Sequence, residues 1–384
     1  MADKPIRRLL SPLKEWLQDS RSVGIVLIAC TAVSLLLSNL PFSSAAYTSF
    51  WEKEIHLPTE SLSLPHSILH WINDGLMAVF FFLAGLEIKR ELLKGELSSP
   101  KKSMLPVLAA LGGMICPALI FLLFNGNTPY HHGWGIPMAT DIAFSLGIVS
   151  LLGNRVPLSL KVFLTALAII DDLGAIITIA IFYSTGLQPG FLLAGLGIIA
   201  ALALLNLLKV RQPLFYFLPG LVVWYCIFNS GIHATISGVL LAFCMPMTHI
   251  EKLEHRLHDP VNFIIMPLFA LANTAIVFPR SLAPVYASPI TWGIVCGLVL
   301  GKPLGIFLFS SAATRLKLAA LPSGTRTGQL IGIGMIAGVG FTMSIFIATL
   351  AFGEISLQVI SKIAIIAASL LAGTAGYFYL GRRK

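Results

Sequence analysis

Apolar runs of about twenty residues, separated by short polar segments, recur along the whole chain. A helix of this length crosses the hydrocarbon core of a bilayer, whereas membrane barrels show alternating segments of about ten residues. The seventh and eighth runs are short and are joined only by Asn229-Ser230-Gly231. We predict an all-α polytopic membrane protein with about twelve transmembrane helices. The predicted spans lie near residues 22–40, 68–88, 104–124, 134–152, 160–184, 190–208, 213–228, 231–245, 260–278, 290–310, 327–351 and 357–380.

Composition agrees with this fold class. Hydrophobic residues make up 56% of the 384 residues and charged residues only 11%, whereas soluble domains carry about 25% charged residues. The mean hydropathy is +0.86. Of the 26 Lys and Arg residues, Lys53 and Arg280 fall in loops on one side of the predicted membrane, and Lys302 and Lys362 fall within spans. The others lie on the opposite side, so the positive-inside rule predicts that both termini are cytoplasmic and explains the net charge of +9 without a nucleic-acid partner.

The cysteines, the segment 41–67 and the first span each support a further prediction. All five cysteines fall in apolar runs without a CxxC motif, which predicts small buried side chains rather than disulfides. The segment 41–67, on the outer side, contains EIHLPTESLSLP, whose partial alternation around a Pro-Thr-Glu-Ser turn suggests a β-hairpin. A plain loop is the alternative, and a contact with a second copy of the chain is a further hypothesis. The first span is longer than the apolar core of a signal peptide, so we expect it to be retained.

Asp171 and Asp172 are adjacent carboxylates inside the apolar run ALAIIDDLGAIITIAIFY. They lie about ten residues beyond Lys161, or roughly 15 Å along a helix, which is the midplane of a bilayer core about 30 Å thick. A charged carboxylate at that depth costs roughly 2.5–3.5 kcal/mol, while each Leu or Ile of the run returns only roughly 0.3–0.6 kcal/mol. Such a cost indicates a function, and an ion or proton site is the first hypothesis.

Three more ionisable side chains, Asp141, Lys302 and Lys362, fall inside predicted spans. Charges in a membrane usually face the bundle interior and pair with one another. A salt bridge between Lys302 and one aspartate could be purely structural or part of an ion site, and both interpretations stay open. Adjacent helical residues point about 100° apart, so one of Asp171 and Asp172 can line a cavity while the other reaches Lys302. A monovalent cation that prefers oxygen ligands would compete with protons for these carboxylates, which is a mechanism of exchange.

Two spans contain sequences that disfavour a continuous helix. The fourth span begins with GWGIPMATD at residue 133, and the eleventh contains GIGMIAGVGFTMS from residue 332. Glycine costs about 1 kcal/mol relative to alanine in a helix, although it also allows close packing in membranes. Because hydroxyls and a carboxylate accompany these glycines, we predict two interrupted helices that cross, in inverted repeats 104–184 and 290–380. Asp141 could offset the positive half-helix ends, and Lys302 the negative ones.

Seven motifs, in order along nearly the whole chain, resemble those of the bacterial NhaA sodium/proton antiporters: FFLAGLEIKREL, PMATDIAFSLG, LTALAIIDDLGAI, SGIHATISGVL, LFALANTAI, GKPLGI and GVGFTMSIFIATLAFG. The resemblance implies an electrogenic exchanger of the bacterial inner membrane that expels Na⁺ or Li⁺, imports protons and serves sodium and pH homeostasis. It implies no cofactor and no structural metal. Asp171 and Asp172 match the family's ion-binding and proton-carrying pair, with Asp172 the expected cation ligand. Thr140 and Asp141 match its fourth-span site, and Lys302 matches its essential lysine.

The same resemblance implies a pH-sensing and gating group at the predicted cytoplasmic ends of the spans, with one histidine of the eighth span. These residues are Glu87, Arg90, Glu91, Glu254, His255, His258 and His233. Histidine titrates near pH 6.5, which suits a sensor, but a surface histidine beside acids is usually only solvated. The expected partners are the transported ions, the lipid bilayer and a second copy of the chain in a homodimer.

Three other classes of protein use charges inside a membrane. An intramembrane aspartyl protease needs two acids that share a proton, and Asp141 and Asp171 are candidates, but the usual Gly-x-Gly-Asp setting is absent from the sequence. A cation channel would conduct without coupling to protons. A retinal pigment with Lys302 as its Schiff base fits twelve spans poorly. We therefore expect a transporter that works by alternating access and is not an enzyme.

Overall fold

The computed structural model describes residues 20–55, 64–184 and 186–382, and these residues are mostly helical. A 3₁₀ segment, His131–Met138, precedes α5, and a π-helical turn, Val261–Ile265, joins α10 to α11. The helices are α1 (Ser20–Asn39), α2 (Ser44–Glu52), α3 (Ile68–Leu93), α4 (Pro100–Asn125), α5 (Ile142–Leu151), α6 (Leu158–Phe182), α7 (Pro189–Leu207), α8 (Leu214–Phe228), α9 (Ile236–Cys244), α10 (Met247–Pro260), α11 (Met266–Asn273), α12 (Ala283–Ala287), α13 (Pro289–Arg315), α14 (Thr327–Ala337), α15 (Phe341–Ala351) and α16 (Ile355–Arg382).

Each of the twelve predicted spans overlaps at least one of these helices, so the prediction of an all-α polytopic membrane protein is confirmed. Within the described ranges, eight helical segments are long and apolar enough to cross a membrane. α14 and α15, which are bent by 52° at the break between them, make a ninth when they are taken together. The helices of the seventh, eighth and ninth predicted spans, α8, α9 and α11, are shorter.

Both predicted interruptions are present. The fourth span consists of the 3₁₀ segment and α5, with extended backbone between them, and the eleventh consists of α14 and α15. Glycine or proline and polar residues stand at each break, as the sequence pattern requires. The assignment of residues 104–184 and 290–380 to inverted repeats stays a prediction.

The middle of α13 is held in the protein interior by close packing against α4. A Cβ on Gly112 of α4 would clash with the carbonyl oxygen of Gly305 in α13, so the two backbones can approach only because both residues are glycine. Lipid tails are as apolar as leucine, and such close approach is therefore a main source of helix association in a membrane. A π-helical turn, Gly297–Gly301, immediately precedes Lys302 and changes the direction in which that lysine points. Lys302 is fully buried.

Large apolar side chains cover the outside of the bundle. Leu123 is 83% exposed and Leu207 is 78% exposed, values that suit contact with lipid rather than with water. The five cysteines are free thiols, of which Cys226 and Cys244 are buried and the other three are partly exposed.

The segment 41–67 contains a helix, α2, that the sequence pattern did not predict. After α2, Glu54 and Ser67 form an antiparallel bridge, and Ile55 N donates to His66 O at 2.9 Å. Residues 56–63, which include the predicted turn, lie outside the described residues. The β-hairpin therefore stays a prediction beyond this first pairing.

Candidate ion site at two interrupted spans

The breaks of the fourth and eleventh spans lie against each other. Interrupting a helix leaves backbone groups without their usual partners, and inside a membrane these groups need protein partners. Hydrogen bonds between the two spans supply several of them: Asp141 N to Val339 O (2.7 Å), Thr140 Oγ1 to Ala337 O (2.9 Å), Ser145 Oγ to Ile336 O (3.1 Å) and Ser344 Oγ to Ile136 O (2.8 Å). The two interrupted spans thus form one hydrogen-bonded unit at the centre of the bundle.

Asp141 connects the N-terminal ends of two half-helices. Its Oδ1 accepts a hydrogen bond from Phe144 N at 3.0 Å, which caps α5. Its Oδ2 accepts from Thr342 N at 3.2 Å and from the Thr342 hydroxyl, in the first turn of α15. Helix N-termini carry a partial positive charge, which a carboxylate stabilises. Asp141 therefore lies between two partly positive helix ends, and its role in transport stays a prediction.

Lys302 and Asp171 form a fully buried ion pair. Lys302 Nζ lies 2.7 Å from Asp171 Oδ2, and both side chains are inaccessible to solvent. Lys302 Nζ also donates to the carbonyl oxygen of Met138, the last residue of the 3₁₀ segment, where the helix dipole is negative. The Thr140 hydroxyl lies 2.7 Å from Asp171 Oδ2 as well as near Ala337 O, so its single proton can be given to either acceptor.

Asp172 faces in a different direction from Asp171. It lines a cavity of about 270 Å³, together with Asp141, Thr342 and Thr165, and it is only 3% exposed. Among the described residues, its Oδ1 has no hydrogen-bond partner. A buried carboxylate oxygen without a donor is costly, and the carboxylate and hydroxyl oxygens among a mostly apolar lining suit a hard cation. The structure thus divides the two adjacent aspartates as helix geometry predicted.

The same cavity extends to a charged group at one end of α3 and α10. Arg90 Nε donates to Glu254 Oε2 at 2.9 Å, and Arg90 Nη1 lies 2.7 Å from Glu91 Oε1. Glu87, Arg90 and His258 all line the cavity. Burial raises the pKa of the Glu254 carboxyl, while the nearby Arg90 guanidinium opposes that rise. Glu87, Arg90, Glu91, Glu254 and His258 are therefore brought together beside the path to Asp172.

Two residues of the predicted sensor group lie apart from this cluster. His255 is exposed on α10. His233 Nε2 lies 3.0 Å from the carbonyl oxygen of Tyr183, at the opposite end of α6 from Lys161. The roles of His255 and His233 stay predictions. Lys362 is buried in α16, and none of the hydrogen bonds described above involves it.

Two contributors to the site were not assigned a role from the sequence. Thr342 binds Asp141 and lines the cavity, and the signal for it was a hydroxyl within the glycine-rich eleventh span. The Met138 carbonyl that accepts from Lys302 is a main-chain group, so no residue type at that position could have indicated it.

Buried carboxylates with a lysine counter-charge, at two interrupted and touching spans, define the class of membrane ion transporters built on broken helices. The family described as Na⁺/H⁺ antiporter 1 matches residues 14–380, and the chain belongs to this family. It is 49% identical to Na(+)/H(+) antiporter NhaA 1 of Flavobacterium johnsoniae over 97% of both chains. It is 50% identical to Na(+)/H(+) antiporter NhaA of Cytophaga hutchinsonii over 96% of this chain and 94% of the relative. It is 47% identical to that of Citrobacter koseri over 97% and 98%.

Family membership decides between the classes that the sequence left open. The relatives are transporters of a family of Na⁺/H⁺ antiporters and not enzymes, so the protease hypothesis is wrong. Asp141 and Asp171 also bind different groups, Thr342 and Lys302 respectively. The chain is a multi-pass membrane protein of an antiporter family whose transported ions are Na⁺ and H⁺.

Proposed function

We propose that the chain exports Na⁺ or Li⁺ in electrogenic exchange for protons by alternating access, with Asp172 as the cation ligand. The observation that carries this proposal is the difference between the two aspartates. One oxygen of each carboxylate is buried without a hydrogen-bond partner among the described residues, but Asp171 has a lysine partner at 2.7 Å on its other oxygen, whereas Asp172 has no such ion pair and lines the cavity. A cation in the cavity would supply the positive charge that Asp172 lacks, and a proton would do so equally well. Competition between the two ions couples their transport.

Asp171, Lys302, Thr140 and Asp141 have supporting roles in this scheme. Lys302 holds Asp171 as an ion pair, and the Thr140 hydroxyl can move its hydrogen bond between Asp171 and a main-chain carbonyl. Asp171 can therefore carry a proton when Lys302 moves away from it. Asp141 holds the ends of α5 and α15 together. Several buried acids beside one lysine can hold more than one proton per cation, which supports an electrogenic exchange.

Alternating access requires the site to open to each side in turn. The cavity runs from Asp172 to Arg90 and His258, at the end that the positive-inside rule assigns to the cytoplasm. We propose that the hydrogen-bonded unit of the two broken spans moves against the remaining helices to open the other side. We also propose that the protein lies in a bacterial inner membrane with both termini on the cytoplasmic side, and that it forms a homodimer.

Regulation by pH is proposed for the cluster of Glu87, Arg90, Glu91, Glu254 and His258. Because burial raises the pKa of Glu254, this carboxyl loses its proton at a higher pH than an ordinary glutamate. As pH rises, the ion pair with Arg90 gains strength and draws α3 and α10 together beside the cavity. We propose that this movement activates transport.

The test is Na⁺-dependent proton movement in everted membrane vesicles. Asp172→Asn is expected to abolish it, and Glu354→Gln, at an exposed carboxylate that does not line the cavity, is the control and should retain it. Near-normal exchange by Asp172→Asn, at equal expression, would contradict the assignment. Electrogenicity is tested in the same vesicles by collapsing the membrane potential with potassium and valinomycin, which should change the exchange rate.

A further inference from the structure

A groove of about 490 Å³ lies between α1, α5 and α16. Its lining is apolar and includes Val339 and Phe341, which flank the break of the eleventh span. The walls of the groove carry Ile28, Leu35, Phe144, Ile148, Leu370 and Tyr377. Leu370 is 59% exposed and Ile28 is 51% exposed, so the groove is open to the hydrocarbon of the bilayer rather than to the ion cavity.

The three helices that form the walls each have an arginine at the same end of the bundle. Arg21 is at the start of α1, Arg155 follows α5, and Arg382 is the last residue of α16, and all three are exposed. The Arg155 guanidinium donates to a main-chain carbonyl of α16 at 3.3 Å, which holds two of these ends together. α1 packs against α5 near this end, where a Cβ on Gly24 would lie 4.0 Å from the Cα of Gly147.

We propose that the groove binds one anionic phospholipid, with an acyl chain along the apolar walls and the headgroup at Arg21, Arg155 and Arg382. The surroundings at this depth are hydrocarbon, so an apolar groove is filled by a lipid chain. Basic residues between helix ends at the cytoplasmic side suit anionic headgroups, and each contributes about fivefold to the affinity. The arginines therefore favour phosphatidylglycerol over phosphatidylcholine, while the apolar walls of the groove bind the acyl chain.

This lipid contacts the transport machinery without touching the ion site. Val339 accepts the hydrogen bond of Asp141 N, and Phe341 begins α15; both are nearly buried at the base of the groove, so a chain in the groove lies directly against the break. A ligand that binds only the folded protein stabilises it. Phosphatidylglycerol is therefore expected to raise the melting temperature of the delipidated protein more than phosphatidylcholine does.

Native mass spectrometry of the delipidated protein, titrated with each lipid bearing palmitoyl and oleoyl chains, measures the binding directly. Removal of both Arg155 and Arg382 by substitution with Gln is expected to weaken phosphatidylglycerol binding roughly 25-fold. The matched control removes two charges from the exposed end of α13, Arg315→Gln with Lys317→Gln, and should bind as the wild type does.

The chain position is tested by filling the groove. Ala32, an exposed residue of α1, lines the groove, whereas its neighbour Val33 is 47% exposed and does not line it. Ala32→Trp should lose the bound phosphatidylglycerol and the thermal stabilisation by lipid, and Val33→Trp should keep both. If Ala32→Trp does not fold, Thr374→Leu fills the same groove from α16.

The results that would overturn the proposal are distinct. If the variant without Arg155 and Arg382 and the α13 control variant lose phosphatidylglycerol binding equally, these arginines have no specific role. Equal retention by Ala32→Trp and Val33→Trp would place the chain elsewhere. Conversion of a dimer to a monomer by Ala32→Trp, with lipid binding per chain unchanged, would show that a second copy covers the groove.

Discussion

Neutralising Lys302 alone is expected to destabilise the protein more than neutralising Lys302 together with Asp171. Lys302 Nζ and Asp171 Oδ2 are 2.7 Å apart, and neither side chain is accessible. At an effective dielectric constant of about 20, unit charges at that distance attract by about 6 kcal/mol. Removing one member of a buried pair typically costs about 3–5 kcal/mol, since the other charge stays buried without a partner. Lys302→Met is expected to lower the free energy of unfolding by an amount in this range.

The double variant separates the ion pair from the packing of its side chains. Lys302→Met with Asp171→Asn leaves neither member of this ion pair charged without its partner, so its loss should be smaller than that of Lys302→Met alone. Equilibrium unfolding in mixed detergent micelles of the wild type, both single variants and the double variant gives the coupling free energy. We expect a coupling of at least about 2 kcal/mol.

An exposed ion pair in the same chain is the control. Lys102 Nζ and Glu96 Oε2 are 3.4 Å apart, with side chains 65% and 50% exposed, and such pairs couple by less than about 1 kcal/mol. If the coupling between Lys302 and Asp171 is no larger than the coupling of this surface pair, the argument from burial is refuted.

The remaining predictions concern the ion cavity, the helix break and the sensor cluster. Thr342→Val removes a hydrogen bond to the Asp141 carboxylate, worth about 1.5 kcal/mol, and should raise the apparent KM for Na⁺ roughly tenfold. Thr342→Ser keeps the hydroxyl and should leave this KM unchanged. If both variants have the KM of the wild type, Thr342 has no role in Na⁺ binding. Gly338→Ala places a Cβ against the carbonyl of Leu298 and should lower the free energy of unfolding by about 1–3 kcal/mol. Gly353→Ala, with no atom within 4 Å of the added Cβ, should leave it nearly unchanged. Equal effects of the two substitutions would refute the close approach at Gly338. Glu254→Gln imitates the protonated carboxyl and should move the activating pH upward in vesicles. Glu251→Gln on the same helix removes a like charge that raises the pKa of Glu254, so it should move the activating pH slightly downward, and the exposed Glu354→Gln should leave it unchanged; an unmoved profile for Glu254→Gln would contradict the sensor role.

Hydropathy predicts the helical fold and the depth of the aspartates, because both depend on the sequence distance from the ends of an apolar run. The interruptions were also predictable, since glycine, proline and polar residues are unfavourable inside a membrane helix. Helix geometry required Asp171 and Asp172 to face different surroundings. Which of them meets Lys302 depends on the rotation of α6, and packing against other helices sets that rotation.

Other parts of the site depend on contacts between residues far apart in the chain. Arg90 and Glu254 are 164 positions apart, and a single sequence contains no physical signal for such a pair. The Met138 carbonyl belongs to the main chain, so the residue type carries no information about its role. The helix α2 is only nine residues long, and the apolar spacing of Tyr47, Phe50 and Trp51 covers little more than one turn, which is too short for a pattern to predict a helix.

The central claim is that Na⁺ and protons compete for Asp172. Its most direct test is the release of protons when NaCl is added to purified protein in a weakly buffered detergent solution, with choline chloride as the salt control. The wild type is expected to release protons in proportion to Na⁺ binding, and Asp172→Asn is expected to release none. Na⁺ binding without proton release, or unchanged release by Asp172→Asn, would contradict the account.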